Sequence, residues 1–154
     1  MRPWERAAEW IGPFRIEELL DRMVEKASEK PPESDEVYVV SEKSWRDRPG
    51  IECVPLYVGS NTGKSPRFRT RIGDLMADMF GFFGQQRGHH SGGQTLYKYC
   101  VTKGLNPKHL YIAWSRNCLC VRCEETRLYH LFRSSLLNKK EPPGCNKHRA
   151  RAFG

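Results

Sequence analysis

The chain has 154 residues, 26 Lys and Arg against 18 Asp and Glu, a formal net charge of +8 and 38% hydrophobic residues. That length suits one domain with its own core, no apolar run approaches the roughly 18 residues needed to cross a bilayer, and the opening MRPWERAAEW carries charge where a secretory leader needs an apolar stretch. A cytoplasmic protein is expected, and the basic balance favours a polyanionic partner, of which nucleic acid is the commonest.

Residues 3–11 have a short helical pattern that Gly12-Pro13 breaks. Phe14, Ile16, Leu19, Leu20, Met23 and Val24 then form a stripe that predicts a core-packed helix. PPESD (31–35) reads as a linker. The β-branched and aromatic run EVYVV (36–40) predicts a strand, SEKSWRDRPG (41–50) a loop, and IECVPLYVGS (51–60) a second strand with Pro55 at a bulge or edge. The two strands form a hairpin with a long connection.

Beyond the NTGKSP loop, RFRTRIGDLMADMFGFF (67–83) is helical, with Phe68, Ile72, Leu75, Met76, Met79 and Phe80 on one face. A Gly-rich loop (84–93) leads to the helix QTLYKYCVTKG, stopped by Gly104. LYIAWS (110–115) is a third strand, and VRCEETRLYHLFRS (121–134) a last helix with Leu128, Leu131 and Phe132 available to the core. The expected fold is a small α/β domain, a three-stranded antiparallel sheet flanked by helices. Residues 1–35 form an N-terminal helical extension, 36–140 the main domain and 141–154 a basic tail. The acidic N-terminal helix offers a surface for self-association as a homodimer.

This layout gathers Tyr38 and Tyr57 from paired strands, Arg71 from the next helix, Glu125 from the last helix and Asn138 just after it. Phosphodiester hydrolysis uses such a set. A carboxylate holds a divalent cation that neutralises phosphate and activates water. A guanidinium matches phosphate oxygens and stays charged, and a phenol relays a proton or positions the water. Taken singly each residue is more often a packing or solvated one; order and neighbours carry the signal.

In order and neighbours residues 36–140 resemble the GIY-YIG nucleases, which include the N-terminal nuclease of bacterial excision-repair enzymes, intron homing endonucleases and some type II restriction enzymes. Glu36-Val37-Tyr38 stands where the family has GIY, with Glu in place of Gly, and Tyr57-Val58-Gly59 stands for YIG. In FRTRI, Arg71 precedes the apolar Ile72 as the family's helical arginine does, with Arg67 and Arg69 as rivals or phosphate contacts. His89-His90-Ser91-Gly92-Gly93 resembles a polar segment that opens the following helix, where free N–H groups suit a phosphate. Glu125, with Leu128 three on, matches the metal-binding glutamate, and Glu124 is the alternative, about 100° away on the helix. Leu136-Leu137-Asn138 resembles the closing apolar-apolar-Asn, with Asn146 a weaker candidate.

The resemblance implies a metal-dependent endonuclease acting on DNA. Glu125 holds one Mg²⁺ or Mn²⁺, Arg71 stabilises the phosphorane-like charge, Tyr38 helps deprotonate the water, Tyr57 orients it and Asn138 braces the site. Arg67, Arg69, His90, Lys139 and Lys140 are the side chains expected to meet DNA.

The cysteines make a separate pattern. Cys120-x-x-Cys123 is followed, after 21 residues, by Cys145-x-x-His148. Two short chelating pairs each supply two tetrahedral corners, the form of a structural zinc site that ties the last helix to the tail. Cys118 is an alternative ligand, and ordinary reduced thiols are the plainer reading. Cys53 and Cys100 read as buried hydrophobes. Against the nuclease stands a second reading, a zinc-stapled nucleic-acid-binding module without catalysis, favoured by Glu36 in the first motif. A third is a protein-interaction domain with incidental basic charge.

Overall fold

The structure is a computed structural model that describes residues 8–50, 52, 54–61, 67–82 and 90–145. Four strands form one antiparallel sheet: β1 (Glu9–Arg15), β2 (Val37–Ser41), β3 (Pro55–Ser60) and β4 (Tyr111–Arg116), in the order β1-β4-β2-β3. The helices are α1 (Ile16–Val24), α2 (Phe68–Met79), α3 (Ser91–Lys103) and α4 (Val121–Leu131), and a 3₁₀ turn (Pro107–His109) precedes β4. The expected α/β class holds, with one strand more than expected. None of the described helices is long and apolar enough to cross a membrane.

The extra strand comes from the segment expected to be helical and then broken. Glu9–Arg15 pairs with Arg116–Tyr111, and its register shifts between Ile11 and Phe14, around Gly12-Pro13. A Gly-Pro pair that stops a helix is tolerated in an edge strand at a bulge. Gly12 has φ +100°, and a Cβ there would come within 2.9 Å of the Ile112 carbonyl oxygen. The N-terminal segment is thus sewn into the sheet, and Ile16 and Leu19 of α1 are fully buried in the main core. Val24, on the expected stripe, is exposed.

Alternation along the strands assigns the two faces. Tyr38 and Val40 of β2, with Ile112 and Trp114 of β4, face α1, α2 and α3, meeting Phe68, Ile72, Leu75, Met79, Leu96 and Cys100. Val37, Val39, Val58 and Ala113 face the other way, onto Leu128 of α4. Cys100 is buried as expected, whereas Cys53 lies outside the described residues. Leu131 differs from expectation: it is 60% exposed, because α4 ends there and the chain turns through 132–135.

Two boundaries matter for the site. Helix α3 begins at Ser91, three residues before the expected Gln94, so both glycines of the HSGG run lie in its first turn. Past α4, residues 135–138 run along the open edge of β3. Ser135 Oγ donates to Pro55 O (3.1 Å), Leu137 N to Leu56 O (2.7 Å), and the Asn138 amide pairs with both the N–H and C=O of Val58 (3.1 and 2.7 Å). An edge whose backbone groups are taken up in this way is closed to pairing with other chains.

Candidate active site

The covered edge of β3 is where the two faces of the sheet meet. Tyr38 and Tyr57 project from β2 and β3 towards α2 and α3, their rings 6.2 Å apart and nearly parallel. Both fit only because of glycines. A Cβ on Gly59 would lie 2.3 Å from the Tyr38 hydroxyl oxygen, and a Cβ on Gly92 would lie 2.3 Å from Cζ of Tyr57. Gly59 is the cross-strand partner of Tyr38, so the last glycine of the second motif makes room for the tyrosine of the first. Gly92 opens the first turn of α3 to the other ring. Gly93 does the same for α2, since a Cβ there would press on Asp78 and on the Leu75 carbonyl at 2.7 Å.

Helix α2 contributes Arg71 and α4 contributes Glu125, from opposite faces. Each tyrosine lies within electrostatic reach of both. The positive Arg71 lowers the pKa of Tyr38 and Tyr57 while the negative Glu125 raises it. Burial is the larger influence, pushing Tyr38 well above the ordinary phenol range and Tyr57 up to about 12. Glu125 is partly buried, and burial raises its carboxyl pKa, offset by a hydrogen bond with Ser60 and by the charge of Arg122. Nε of Arg71 is buried without a hydrogen-bond partner, so the guanidinium still has a donor to give.

His90 occupies the back of this cleft. The expectation that it meets DNA does not survive: it is 1% exposed, shut in by α3 and both tyrosine rings at 6.0 and 6.3 Å. Its Nδ1 accepts from the Gly93 N–H (3.2 Å), capping α3. With that nitrogen unprotonated, the neutral ring carries its proton on Nε2, which lies 2.7 Å from the Tyr38 hydroxyl. The imidazole therefore donates to the phenol oxygen of Tyr38. Burial first, and then Arg71, lowers the His90 pKa to about 3, so the ring stays neutral. Asp78, 2% exposed, accepts from the backbone N–H of His90 (2.5 Å) and from Gln94 Nε2 (3.4 Å). Gly59 is named from the sequence only as the end of the second motif, and Asp78 not at all. A carboxylate on the buried stripe of α2, beside Leu75 and Met79, is the signal that points to Asp78.

The role expected for Tyr38 as a base changes accordingly. A phenol whose pKa is raised by burial keeps its proton at neutral pH, and one whose oxygen already accepts from histidine is not available as a base. The Asn138 amide is spent on backbone, accepting from Val58 N–H and donating to Val58 C=O. Glu124, the rival to Glu125, is 5% exposed and forms a two-pronged ion pair with Arg127, which leaves Glu125 as the carboxylate of the cleft. Glu36, in place of the first motif's glycine, is a buried brace. Its Oε1 accepts from Ser115 Oγ (3.2 Å) and Cys118 N (3.0 Å), and its backbone N–H donates to Asn61 (3.2 Å).

Basic side chains lie on neighbouring segments. Lys139 and Lys140 are exposed and line a cavity of about 190 Å³ with Tyr57, Ser91, Gly92, Thr95 and Asn138. Arg67 and Arg69, at the start of α2, both reach Glu33, at 3.1 and 4.0 Å, and Arg69 also donates to Pro31 O. These are exposed ion pairs, weak enough to be exchanged for phosphate.

At the start of α4, Cys120 and Cys123 meet Cys145 from beyond the helix, the three sulfurs lying within 4.8 Å of one another and Cys120 and Cys145 Sγ 3.5 Å apart. A tetrahedral zinc with Zn–S bonds of about 2.3 Å sets its sulfurs about 3.8 Å apart, so three cysteines stand where they could hold a metal ion. Cys118 is not part of this group; burial pushes its thiol up to about 12, and its backbone serves Glu36. His148 and Asn146 lie outside the described residues. No protein-family model, no curated protein and no solved structure matches the chain.

Proposed function

We propose that the chain is a metal-dependent endonuclease of the GIY-YIG type that hydrolyses DNA phosphodiester bonds at the β3 edge. The observation that carries this reading is the convergence of Tyr38 and Tyr57 between the guanidinium of Arg71 and the carboxylate of Glu125, which arrive from opposite faces of the sheet. A phosphate seated there meets a permanent positive charge, the neutral phenol of Tyr57 and a carboxylate able to take a cation.

Glu125 would hold the Mg²⁺ or Mn²⁺. A single carboxylate suits these ions, which keep several waters and take further oxygens from the substrate phosphate. When bound, the ion supplies charge neutralisation and a water of lowered pKa. The chain's own groups orient and donate. Arg71 meets the charge that grows on the phosphate oxygens. Tyr57, protonated at neutral pH, donates to water or phosphate, and Tyr38, as buried as His90 at 1% exposed, stacks behind it and is itself held by His90. His90, with its pKa near 3, is not the base, so base strength comes from the metal side of the cleft. Lys139 and Lys140 hold the flanking strand beside the first turn of α3, and Arg67 and Arg69 extend the basic track.

The thiol group holds a structural zinc, with His148 as the fourth ligand that the CxxH spacing provides. Such an ion clamps the start of α4, two residues before Glu125, to the segment that follows the covered edge.

The test is cleavage. Purified protein with Mg²⁺ or Mn²⁺ should nick supercoiled DNA, and Glu125→Gln should slow this at least about a thousandfold while leaving DNA affinity within about twofold. Undiminished cleavage by that variant would refute the site. Binding without cleavage under every divalent cation would mark the protein as a binding module.

A further inference from the structure

A second cavity, of about 420 Å³, lies away from the cleft, lined by Trp10 of β1, Arg48, Pro49 and Gly50 of the loop after β2, and Arg127, Leu131 and Phe132 at the end of α4. Its volume falls within the roughly 300–1,000 Å³ usual for ligand sites. On α4 the residues Arg127 and Leu131 stand about 200° and 240° around the axis from Glu125, so this cavity opens on the opposite flank of the helix.

The lining combines flat apolar walls with positive charge. Trp10 and Phe132 are half-buried aromatics, and Leu131 is 60% exposed at the mouth. The loop is pressed onto the aromatic wall: Gly50 has φ +92°, and a Cβ there would lie 2.2 Å from Cζ of Phe132. Arg127 is held in place by its ion pair with Glu124, which offsets its charge. Arg48 is exposed and pairs with no carboxylate among the described residues. Among the described residues the cavity therefore presents the Arg48 cation without an ion pair beside aromatic and aliphatic surface, on a chain whose net charge is +8.

We infer that this cavity seats one unstacked base of a single nucleic-acid strand, with Arg48 on the adjoining phosphate. Aromatic surface accepts any base through its π-face, and a free guanidinium supplies the sequence-independent phosphate contact, the combination by which single strands are held. A paired base inside a duplex cannot reach such a recess, so the seat selects frayed, gapped or branched substrates over continuous duplex. The inference deepens the nuclease reading by naming a substrate class, but it does not need Glu125: the E125Q variant keeps the seat.

The experiment titrates a labelled octathymidylate, and separately a blunt 20-base-pair duplex, into full-length E125Q protein without added divalent cation, read by fluorescence anisotropy at several salt concentrations. Arg48→Ala and Leu131→Glu change exposed positions. Each should weaken octathymidylate binding at least about tenfold and duplex binding by less than about twofold. Arg48→Ala should also lower the single-strand salt slope by about 0.7. The inference fails if either variant binds octathymidylate as the parent does, or if single strand and duplex weaken equally. It fails also if Leu131→Glu splits a dimer in sedimentation, or if an acidic peptide rich in Leu and Phe displaces nothing but itself binds in an Arg48-dependent way; these results assign the cavity to a protein partner. Cleavage by the same substitutions with Glu125 intact scores the nuclease reading independently of the seat.

Discussion

Cys123 and Glu125 stand two residues apart on α4, yet their surroundings are assembled on different terms. Around Glu125 the cleft is set by packing. Tyr38 fits against Gly59, Tyr57 against Gly92, and His90 is fixed at both ring nitrogens, so the donors are placed before any ligand arrives. Around Cys123 three sulfurs crowd within 4.8 Å, and burial, with the neighbouring sulfurs, pushes the Cys123 thiol well up. Such a group is stable as thiolates only with a cation among them. On the proposed reading the first region depends on shape and the second on a metal ion, and the two should fail in different ways.

The largest effect is expected at the thiols. Protein purified without chelator should carry one zinc per chain by elemental analysis. Stripping that ion, or Cys123→Ser, should lower Tm by roughly 10 °C or more, whereas Cys118→Ser, outside the group, should leave zinc content unchanged. An unaltered Tm after complete stripping would remove the contrast between the two regions.

A smaller loss should follow from filling the space under Tyr57. Gly92→Ala places a Cβ against the ring, and either the ring or the first turn of α3 must shift. Overpacking of this kind costs about 1–3 kcal/mol, and a displaced donor slows cleavage by about a hundredfold. Urea denaturation and plasmid nicking read the two consequences, and zinc content should stay at one per chain. Normal nicking by this variant would show that the position of Tyr57 is not critical.

The smallest effect is a gain. Because burial raises the folded-state pKa of Glu125 above its ordinary value near 4.5, this group favours folding most when protonated, and that contribution is lost as pH rises through the raised pKa. At pH 7–8 the buried carboxylate is therefore a cost, and Glu125→Gln should raise Tm by about 2–4 °C, with the gain shrinking below pH 4.5. Mg²⁺ should stabilise the parent and leave this variant unmoved. A thermal melt across pH, with and without Mg²⁺, checks the sign.

Much of the frame was legible along the chain. The β-branched and aromatic run at 36–40, a strand buried on both faces, and the 3.6-residue stripe from Phe68 to Met79, a helix buried on one, are legible because residue type marks the first and periodicity the second. The N-terminal strand was missed, since a Gly-Pro pair reads as a helix stop and only β4 lying alongside turns it into a bulged edge. Leu131 was misplaced because helical phase does not tell where the helix ends. Among the candidate residues, Tyr38, Tyr57, Arg71 and Glu125 were named from order and neighbours, but not what each one touches.

Residue type and spacing by themselves determined the α/β class, the basic character, the paired tyrosine strands and the Cys120-x-x-Cys123 chelating pair. These are local properties, written in periodicity and short intervals. Tertiary structure alone decided that Glu125 reaches the two tyrosines while Glu124 pairs with Arg127, that His90 is buried beside Tyr38, that Asn138 spends its amide on Val58, and that Cys145 closes on Cys120. The last three depend on contacts between segments from 25 to 80 residues apart, where the packing of one helix against a sheet edge chooses between side chains that the chain offers equally.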